Sequence, residues 1–259
     1  MAEITPETSV NFDGKIVLIT GAGRGTGREI ALAFGALGAK IAANDITPIN
    51  LDETIRQITK AGGSAKDFIA DVSKKIQVQS MVTEILEQWE RIDILINNAG
   101  VEPHASLLEM DAWDWQRTLD VNLSGAFYTT QVVARVMREQ GGGAIVNIAS
   151  IAGGGHGLKD RAAYVASKMG LIGFTREAAR ELAIFNIRVN SVCPGAMVSQ
   201  MTADPMQNQA MVAEWLENIP QERLVQPEDI AGLVLFLCSS AASDISGQAI
   251  NVGGGKVKN

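Results

Sequence analysis

The run Lys15-Ile16-Val17-Leu18-Ile19-Thr20 leads directly into Gly21-Ala22-Gly23-Arg24-Gly25-Thr26-Gly27. A short, β-branched apolar run suits a strand buried on both faces, as in a parallel sheet. Ile30, Ala31, Phe34 and Leu37 then recur at helical spacing. Strand, glycine turn and helix N-terminus together make an anion site: glycines let backbone amides approach, and the helix end adds partial positive charge. The spacing is G-x-x-x-G-x-G at Gly21, Gly25 and Gly27, and the strict G-x-G-x-x-G is not met because position 26 is Thr. A tight turn without a ligand is the alternative, and four glycines at this junction argue against it.

The elements keep alternating. A second strand, 40–44, ends at Asp45. That is roughly 20 residues past the turn, where a dinucleotide fold places an acid on a ribose hydroxyl. Its charge would repel a 2′-phosphate, which argues for NAD over NADP, whereas Arg24 in the turn argues the other way. With Thr47 and Pro48 following, Asp45 also reads as a helix cap. A helix over about 51–61 closes at Gly62-Gly63, and a third strand over 68–70 ends at Asp71-Val72. Asp71 could meet an adenine amino group, cap the next helix, or do both. A helix over 75–89 leads to a strand over 92–96 and the loop Asn97-Asn98-Ala99-Gly100. That loop fits a cofactor-facing edge or an ordinary turn.

A long helix is predicted over 113–138 with Asn122 inside it, and an internal Asn marks a local kink. The fifth strand, 144–149, puts Ser150 at its C-terminal end, the edge where open α/β sheets bind ligands. After the glycine loop 153–157 comes a helix with Tyr164 and Lys168 four residues apart, on one face. A free phenol, with a pKa near ~10, is a poor base at neutral pH, and a neighbouring ammonium would lower it. On spacing alone, such a pair is more often a packed ring beside a solvated amine. A sixth strand over 187–192 breaks at Pro194-Gly195. Residues 196–223 read as a substrate lid, and a helix over 227–237 and a strand over 249–252 follow.

Composition narrows the function. Of 259 residues, 46% are hydrophobic and 20% charged, with net charge −7. That is globular composition without a basic nucleic-acid footprint. No apolar run approaches the ~20 residues of a membrane span, and the N-terminus lacks a signal-peptide pattern. Cys193 and Cys238 read as buried thiols in a reducing compartment. No Cys/His cluster suggests a metal. A cytoplasmic protein of one domain, 1–259, is expected.

In this order, Thr20-Gly21-x-x-x-Gly25-x-Gly27, Asp71-Val72, Asn97-Asn98-Ala99-Gly100, Asn122, Ser150, Tyr164-x-x-x-Lys168, Asn190 and Pro194-Gly195 resemble the classical short-chain dehydrogenases/reductases over nearly the whole chain. The resemblance implies a single-domain Rossmann fold of α/β class: a doubly wound, mostly parallel seven-stranded sheet with helices on both faces. It implies a catalytic set of Asn122, Ser150, Tyr164 and Lys168. Tyr164 would be acid or base, and Lys168 would lower its pKa and hold the nicotinamide ribose. Ser150 would orient the reacting oxygen, and Asn122 would position a relay water. The nicotinamide cofactor, NAD in preference to NADP, would meet Gly21, Arg24, Gly25, Thr26 and Gly27 at the pyrophosphate. Asp45 would bind the adenine ribose, Asp71 with the Val72 amide the adenine, and Asn97 would support the adenosine half. Ala99, Gly100, Pro194 and Gly195 would also face the cofactor, and Ser199 stands where many members bind the carboxamide with threonine. The family's usual assembly is a homotetramer through the long helices.

Two departures stand out. Gly253 occupies a position where many members have aspartate. Members acting on carrier-bound acyl chains often have arginines just before the fifth strand and after the Tyr-Lys helix; the stretches here are 141–143 and 184–186, with Arg138 and Arg180 nearby. The expected reaction is therefore hydride transfer between NAD and a secondary alcohol or ketone, a polyol or sugar being favoured. The alternatives are a 3-oxoacyl reductase and a dinucleotide-sensing protein without turnover. Such sensors typically lack the tyrosine or lysine. Glu102, His104, Ala152, His156, Met197 and Met206 are the candidate substrate contacts.

Overall fold

The computed structural model describes residues 10–154, 158–197, 212–213 and 215–256. His156, Ser199, Met206 and most of the lid expected over 196–223 lie outside them. Seven strands form one sheet: β1 (Ile16–Thr20), β2 (Lys40–Asp45), β3 (Ser64–Ile69), β4 (Ile94–Asn97), β5 (Gly143–Ile148), β6 (Ile187–Pro194) and β7 (Ala249–Val252). Their order is β3-β2-β1-β4-β5-β6-β7. Among the described residues every neighbouring pair is parallel. The chain runs outward from β1 to β3, then returns to pair β4 with β1. This reversal opens a crevice between the C-terminal ends of β1 and β4, where α/β sheets bind ligands.

The longer helices among the described residues are α1 (Gly25–Ala36), α2 (Ile49–Lys60), α3 (Lys75–Trp89), α4 (Ala112–Leu119), α5 (Gly125–Gln140), α6 (Ala162–Leu182) and α7 (Pro227–Cys238). Successive side chains of a strand face opposite ways. Val17 and Ile19 of β1 therefore join a layer with Ile30 and Phe34 of α1 and Val234 of α7. Ile16 and Leu18 join the other, with Val78 and Ile85 of α3 and Val133 of α5. Both faces are covered, which is why β1 reads as an unbroken apolar run.

Three elements differ from the sequence expectation. β3 begins four residues early, at Ser64. It is an edge strand whose Lys66 and Asp67 are exposed, so its apolar run covers only its end. Ile92 lies outside β4, because its N–H donates to Gln140 Oε1 (3.0 Å) and its carbonyl accepts from Gln140 Nε2 (2.9 Å). The long helix is divided by a π-helical turn, Asp120–Ser124, centred on Asn122. π-turns of this kind concentrate at functional sites.

Candidate active site

The glycine turn is shaped by close approach. Gly21 has φ +66°, and a β-carbon there would stand 2.9 Å from Ala99 Cα. One at Gly27 would stand 2.1 Å from the Gly21 carbonyl oxygen. The ends of β1 and β4 are laced together by Thr20 and Asn98. Thr20 Oγ1 accepts from the N–H groups of Asn98 (3.0 Å) and Ala99 (3.1 Å). Asn98 Nδ2 donates to the carbonyls of Thr20 and Gly21, each at 3.0 Å. Below the turn, Arg28 donates to Thr54 Oγ1 (3.0 Å), to the Asn50 carbonyl (3.1 Å) and to the Gly23 carbonyl. Thr54 Oγ1 in turn donates to the Ala22 carbonyl (3.0 Å).

The open side of the turn suits an anion. No side chain caps the N-terminus of α1, and Gly25, at φ +54°, has nothing within 4 Å of a β-carbon built there. Arg24 and Thr26 flank Gly25, both exposed or partly so, Arg24 being the residue at the cap. Asp45 Oδ2 accepts from the Gly23 N–H (3.1 Å) and Oδ1 from the Ile46 N–H (2.8 Å), which fixes the carboxylate beside the turn. A cap for α2 is not its role, since Pro48 precedes that helix.

Asp71 is not the cap of α3, which begins after Lys74 with no side-chain cap. Its Oδ1 accepts from the Ser73 N–H (2.9 Å), closing a turn ahead of α3, and its Oδ2 accepts from Arg117 Nη1 (3.2 Å). Burial pushes its carboxyl pKa up, but Ser73 and Arg117 outweigh this and hold it below the usual range. The Val72 side chain is buried against Gly125, where a β-carbon would come within 2.8 Å of Val72 Cγ2. Only its backbone can meet a ligand.

Asn97 corrects the sequence reading. Its side chain turns into the protein: Nδ2 donates to Asn147 Oδ1 (2.8 Å) and Thr130 Oγ1 (3.0 Å), and Oδ1 accepts from Thr129 Oγ1 (2.5 Å). Asn147 Nδ2 continues the chain to Thr175 Oγ1 (2.9 Å). These groups are buried, so each needs a partner inside the protein. Asn97 therefore ties β4 and β5 to α5 from beneath, and its neighbour Asn98 meets the glycine turn.

Asn122 of the π-turn, Ser150 after β5, and Tyr164 and Lys168 of α6 come from three separate segments. Asn122 Oδ1 accepts from the Val101 N–H (2.8 Å), and Nδ2 donates to the Val101 carbonyl and to Ser167 Oγ, each at 3.0 Å. Its side chain is thus fully engaged. Gly100 lies between the two groups: a β-carbon there would be 3.4 Å from Asn122 Oδ1 and 3.8 Å from Lys168 Nζ. Lys168 Nζ is buried and donates to the Ile148 carbonyl (2.7 Å), standing 5.6 Å from the Tyr164 ring centroid. Burial pulls its pKa down to about 8.

Tyr164 behaves otherwise than the sequence suggested. Burial, and then the charge of Glu102, push its pKa up to about 12, against the lowering effects of Ser150 and Arg161. Behind the site, Pro194 ends β6, and the Gly195 N–H donates to the Val252 carbonyl (2.7 Å). A β-carbon at Gly195 would stand 2.7 Å from Gly253 Cα, so the glycine at 253 packs on this turn. Ala152 is buried, its N–H donating to Ser150 Oγ (3.2 Å), and Met197 packs against the α1–α7 layer. Glu102 and His104 lie on the loop after β4 beside Arg161, a residue the sequence reading passed over. Arg28 and Arg117 were likewise not singled out, and Thr20 and Asn98 stood in named motifs without a role of their own.

Among the described residues no cluster could hold a metal ion, and no helix is long and apolar enough to cross a membrane. A family model described as "Enoyl-(Acyl carrier protein) reductase" matches residues 21–256. The chain is 38% identical over 248 residues to 3-oxoacyl-[acyl-carrier-protein] reductase FabG of Thermotoga maritima, covering 96% of this chain and all of that one. A 7α-hydroxysteroid dehydrogenase complexed with NADH and 7-oxo glycochenodeoxycholic acid superposes with TM-score 0.89 at 34% identity, over 96% of this chain and 97% of that one. NAD⁺-bound xylitol dehydrogenase superposes with TM-score 0.88 at 32% identity, over 94% and 99%. With its parallel sheet, glycine turn and laced strand ends, the chain belongs to the classical short-chain dehydrogenase/reductase family and is an NAD(P)-dependent oxidoreductase acting on CH–OH groups.

Proposed function

We propose that Tyr164 is the proton donor and acceptor of this oxidoreductase, with Ser150, Lys168 and Asn122 as its partners, and that the substrate is a ketone or secondary alcohol. The observation that carries this is the convergence of a half-buried phenol, a buried lysine and a serine beside an uncapped glycine turn. The bound nicotinamide supplies the hydride or accepts it. The chain's own residues do the rest. Gly21, Arg24, Gly25, Thr26 and Gly27 hold the pyrophosphate, Asp45 the adenine ribose, and Asp71 with the Val72 N–H the adenine. Ala99, Gly100, Pro194 and Gly195 border the nicotinamide half, Tyr164 and Lys168 meet its ribose, and Ser199, outside the described residues, is assigned to its carboxamide. Because the Asn122 side chain is engaged, its relay water is held by the backbone of the π-turn. The fixed carboxylate of Asp45 supports NAD over NADP.

A phenol kept protonated is ready to give its proton to a carbonyl oxygen, which supports reduction as the working direction. Together with the relative from Thermotoga maritima, this favours a 3-oxoacyl thioester as substrate. Arg138 and Arg180 are each paired with a neighbouring glutamate, which argues for a free thioester over a carrier-bound one. A polyol or sugar is the second reading, supported by the polar wall of Glu102, His104 and Arg161 and by the likeness to xylitol dehydrogenase.

Exposed Trp113, Phe127 and Met169 on α4, α5 and α6 support a homotetramer built through those helices, which light scattering would test. We place the protein in the cytoplasm as a single domain. The deciding experiment follows NADH oxidation with acetoacetyl thioesters and NAD⁺ reduction with polyols, for wild type and Tyr164→Phe. Thioester turnover that falls about 10²–10⁴-fold in the variant, with NADH still bound, is the expected outcome. Turnover surviving in the variant would remove Tyr164 from the chemistry.

A further inference from the structure

Beside Tyr164 stands an ion pair that belongs to none of the family motifs above. Glu102 follows β4, and Arg161 precedes α6, one helical turn before Tyr164. Arg161 Nε lies 2.6 Å from Glu102 Oε1, the two side chains being only 11% and 16% exposed. The arginine in the pair Arg56–Glu53 is 60% exposed. Water damps an exposed pair almost completely, whereas a desolvated one keeps its field.

The pair is held in place by more than its own attraction. Arg161 Nη1 donates to the Lys159 carbonyl, and Nε also reaches His104 Nε2, each at 3.2 Å. The Ala105 N–H donates to the Asp160 carbonyl (3.0 Å), and Ala105 and Arg161 form an isolated parallel bridge. Asp160 holds φ +59°, a left-handed conformation that aspartate tolerates better than most residues. The loop after β4 is thereby stitched to the start of α6.

We propose that the Glu102–Arg161 pair is the electrostatic setting of the Tyr164–Lys168 couple, with Glu102 a positioning residue and Arg161 its counter-charge. The inference rests on Tyr164 being the proton donor. The groups facing the phenol are Lys168 of its own helix, Arg161 at that helix's N-cap, Glu102 of the loop after β4, Ser150 after β5 and Cys193 of β6. Glu102 acts on both members of the couple in one sense, favouring the proton on the phenol and on the amine, while Arg161 opposes it at the phenol. The pair therefore keeps the couple charged with protons for carbonyl reduction, and its balance fixes the pH at which the phenolate needed for alcohol oxidation appears.

The chain has two tyrosines, so a Tyr128→Phe background leaves Tyr164 as the sole source of tyrosinate absorbance. Stopped-flow pH jumps read its ionisation before alkaline unfolding. Glu102→Gln is expected to bring the ionisation down by roughly one pH unit. Arg161→Gln is expected to move it up, and Glu102→Asp to leave it near the wild-type position. The pH–rate profile should shift in the same directions while NADH affinity holds. An ionisation unmoved by Glu102→Gln would overturn the proposal, as would movement in the same direction by both glutamine variants, which would mean only a loosened loop. Should Glu102→Gln not fold, Arg161→Gln alone tests the coupling by its upward sign. Turnover surviving Tyr164→Phe would instead sink the donor reading and leave the titration result standing.

Discussion

Lys168 Nζ donates to the carbonyl of Ile148 at 2.7 Å, at the end of β5, and this bond holds a buried amine in a place where ionisation works against folding. Burial lowers its pKa from 10.5 to about 8. Between those values the unfolded chain binds a proton that the folded chain has lost, so the lysine's contribution to stability rises with pH from about 8 to 10.5 and is unfavourable below. Lys168→Met should therefore be more stable than wild type at pH 7, by about 1–2 kcal/mol after the lost hydrogen bond is counted, and less dependent on alkaline pH. Urea unfolding at pH 7 and pH 10 measures both. A variant less stable than wild type at pH 7 would show that the charge is better solvated than its burial implies.

Gly23 controls the acid beside the turn. A β-carbon there would stand 2.6 Å from Asp45 Oδ2 and 2.8 Å from Asn50 Cβ. Gly23→Ala should displace the carboxylate and weaken NADH binding about tenfold, or ~1.4 kcal/mol. Asp45→Ala should narrow the gap between NADH and NADPH. Fluorescence titration with both nucleotides reads the two effects, and NADPH binding tighter than NADH to the wild type would transfer control to Arg24.

Asn97 belongs to the buried amide and hydroxyl network, so its loss should be felt in stability before affinity. Asn97→Ala removes the partners of Asn147 Oδ1 and Thr130 Oγ1 and should cost about 2–3 kcal/mol. NADH affinity measured on the folded protein should change little. A large affinity loss with unchanged urea midpoint would return Asn97 to the adenosine site.

Asp93 ties the start of β4 to β1. It accepts from the Ile16 N–H (2.9 Å) and pairs with Arg91 (2.6 Å) and Lys15 (3.3 Å). Burial raises its pKa, but these partners outweigh that and leave it lowered. The stabilisation is present above the unfolded carboxylate value near ~3.9 and is lost as pH falls through the lower folded value. Asp93→Asn should cost about 1–2 kcal/mol at pH 7, with the difference from wild type shrinking below about pH 4. Urea midpoints across that range check the sign.

The glycine turn and the carboxylate beside it were legible because glycines and an acid at fixed distances from a strand end appear directly in the residue order. Asn122 was legible as a break in its helix, and the π-turn is that break. What escaped were contacts made by side chains remote in sequence. Nothing local to Arg28, Arg117 or Arg161 marks it as bracing a turn or a carboxylate. Asn97 and Asn98 are the same residue type side by side, and only the alternation of β4 decides that one is buried and the other meets Gly21. The raised pKa of Tyr164 depends on burial and on Glu102, neither of which the four-residue spacing to Lys168 contains.

The reversal of the sheet at β1 has a consequence for how the chain is made. β1 can pair with β2 as soon as residue 45 is free, but its other edge stays open until β4 follows, with Val17 waiting for Ile94 and Ile19 for Ile96. A nascent chain that pairs β1 with β2 and β3 before β4 is made would hold an unpaired central edge, the kind of edge most exposed to mispairing. Closure of that edge by β4 also brings Asn98 onto Gly21, so the step that ends the hazard is the same step that shapes the glycine turn.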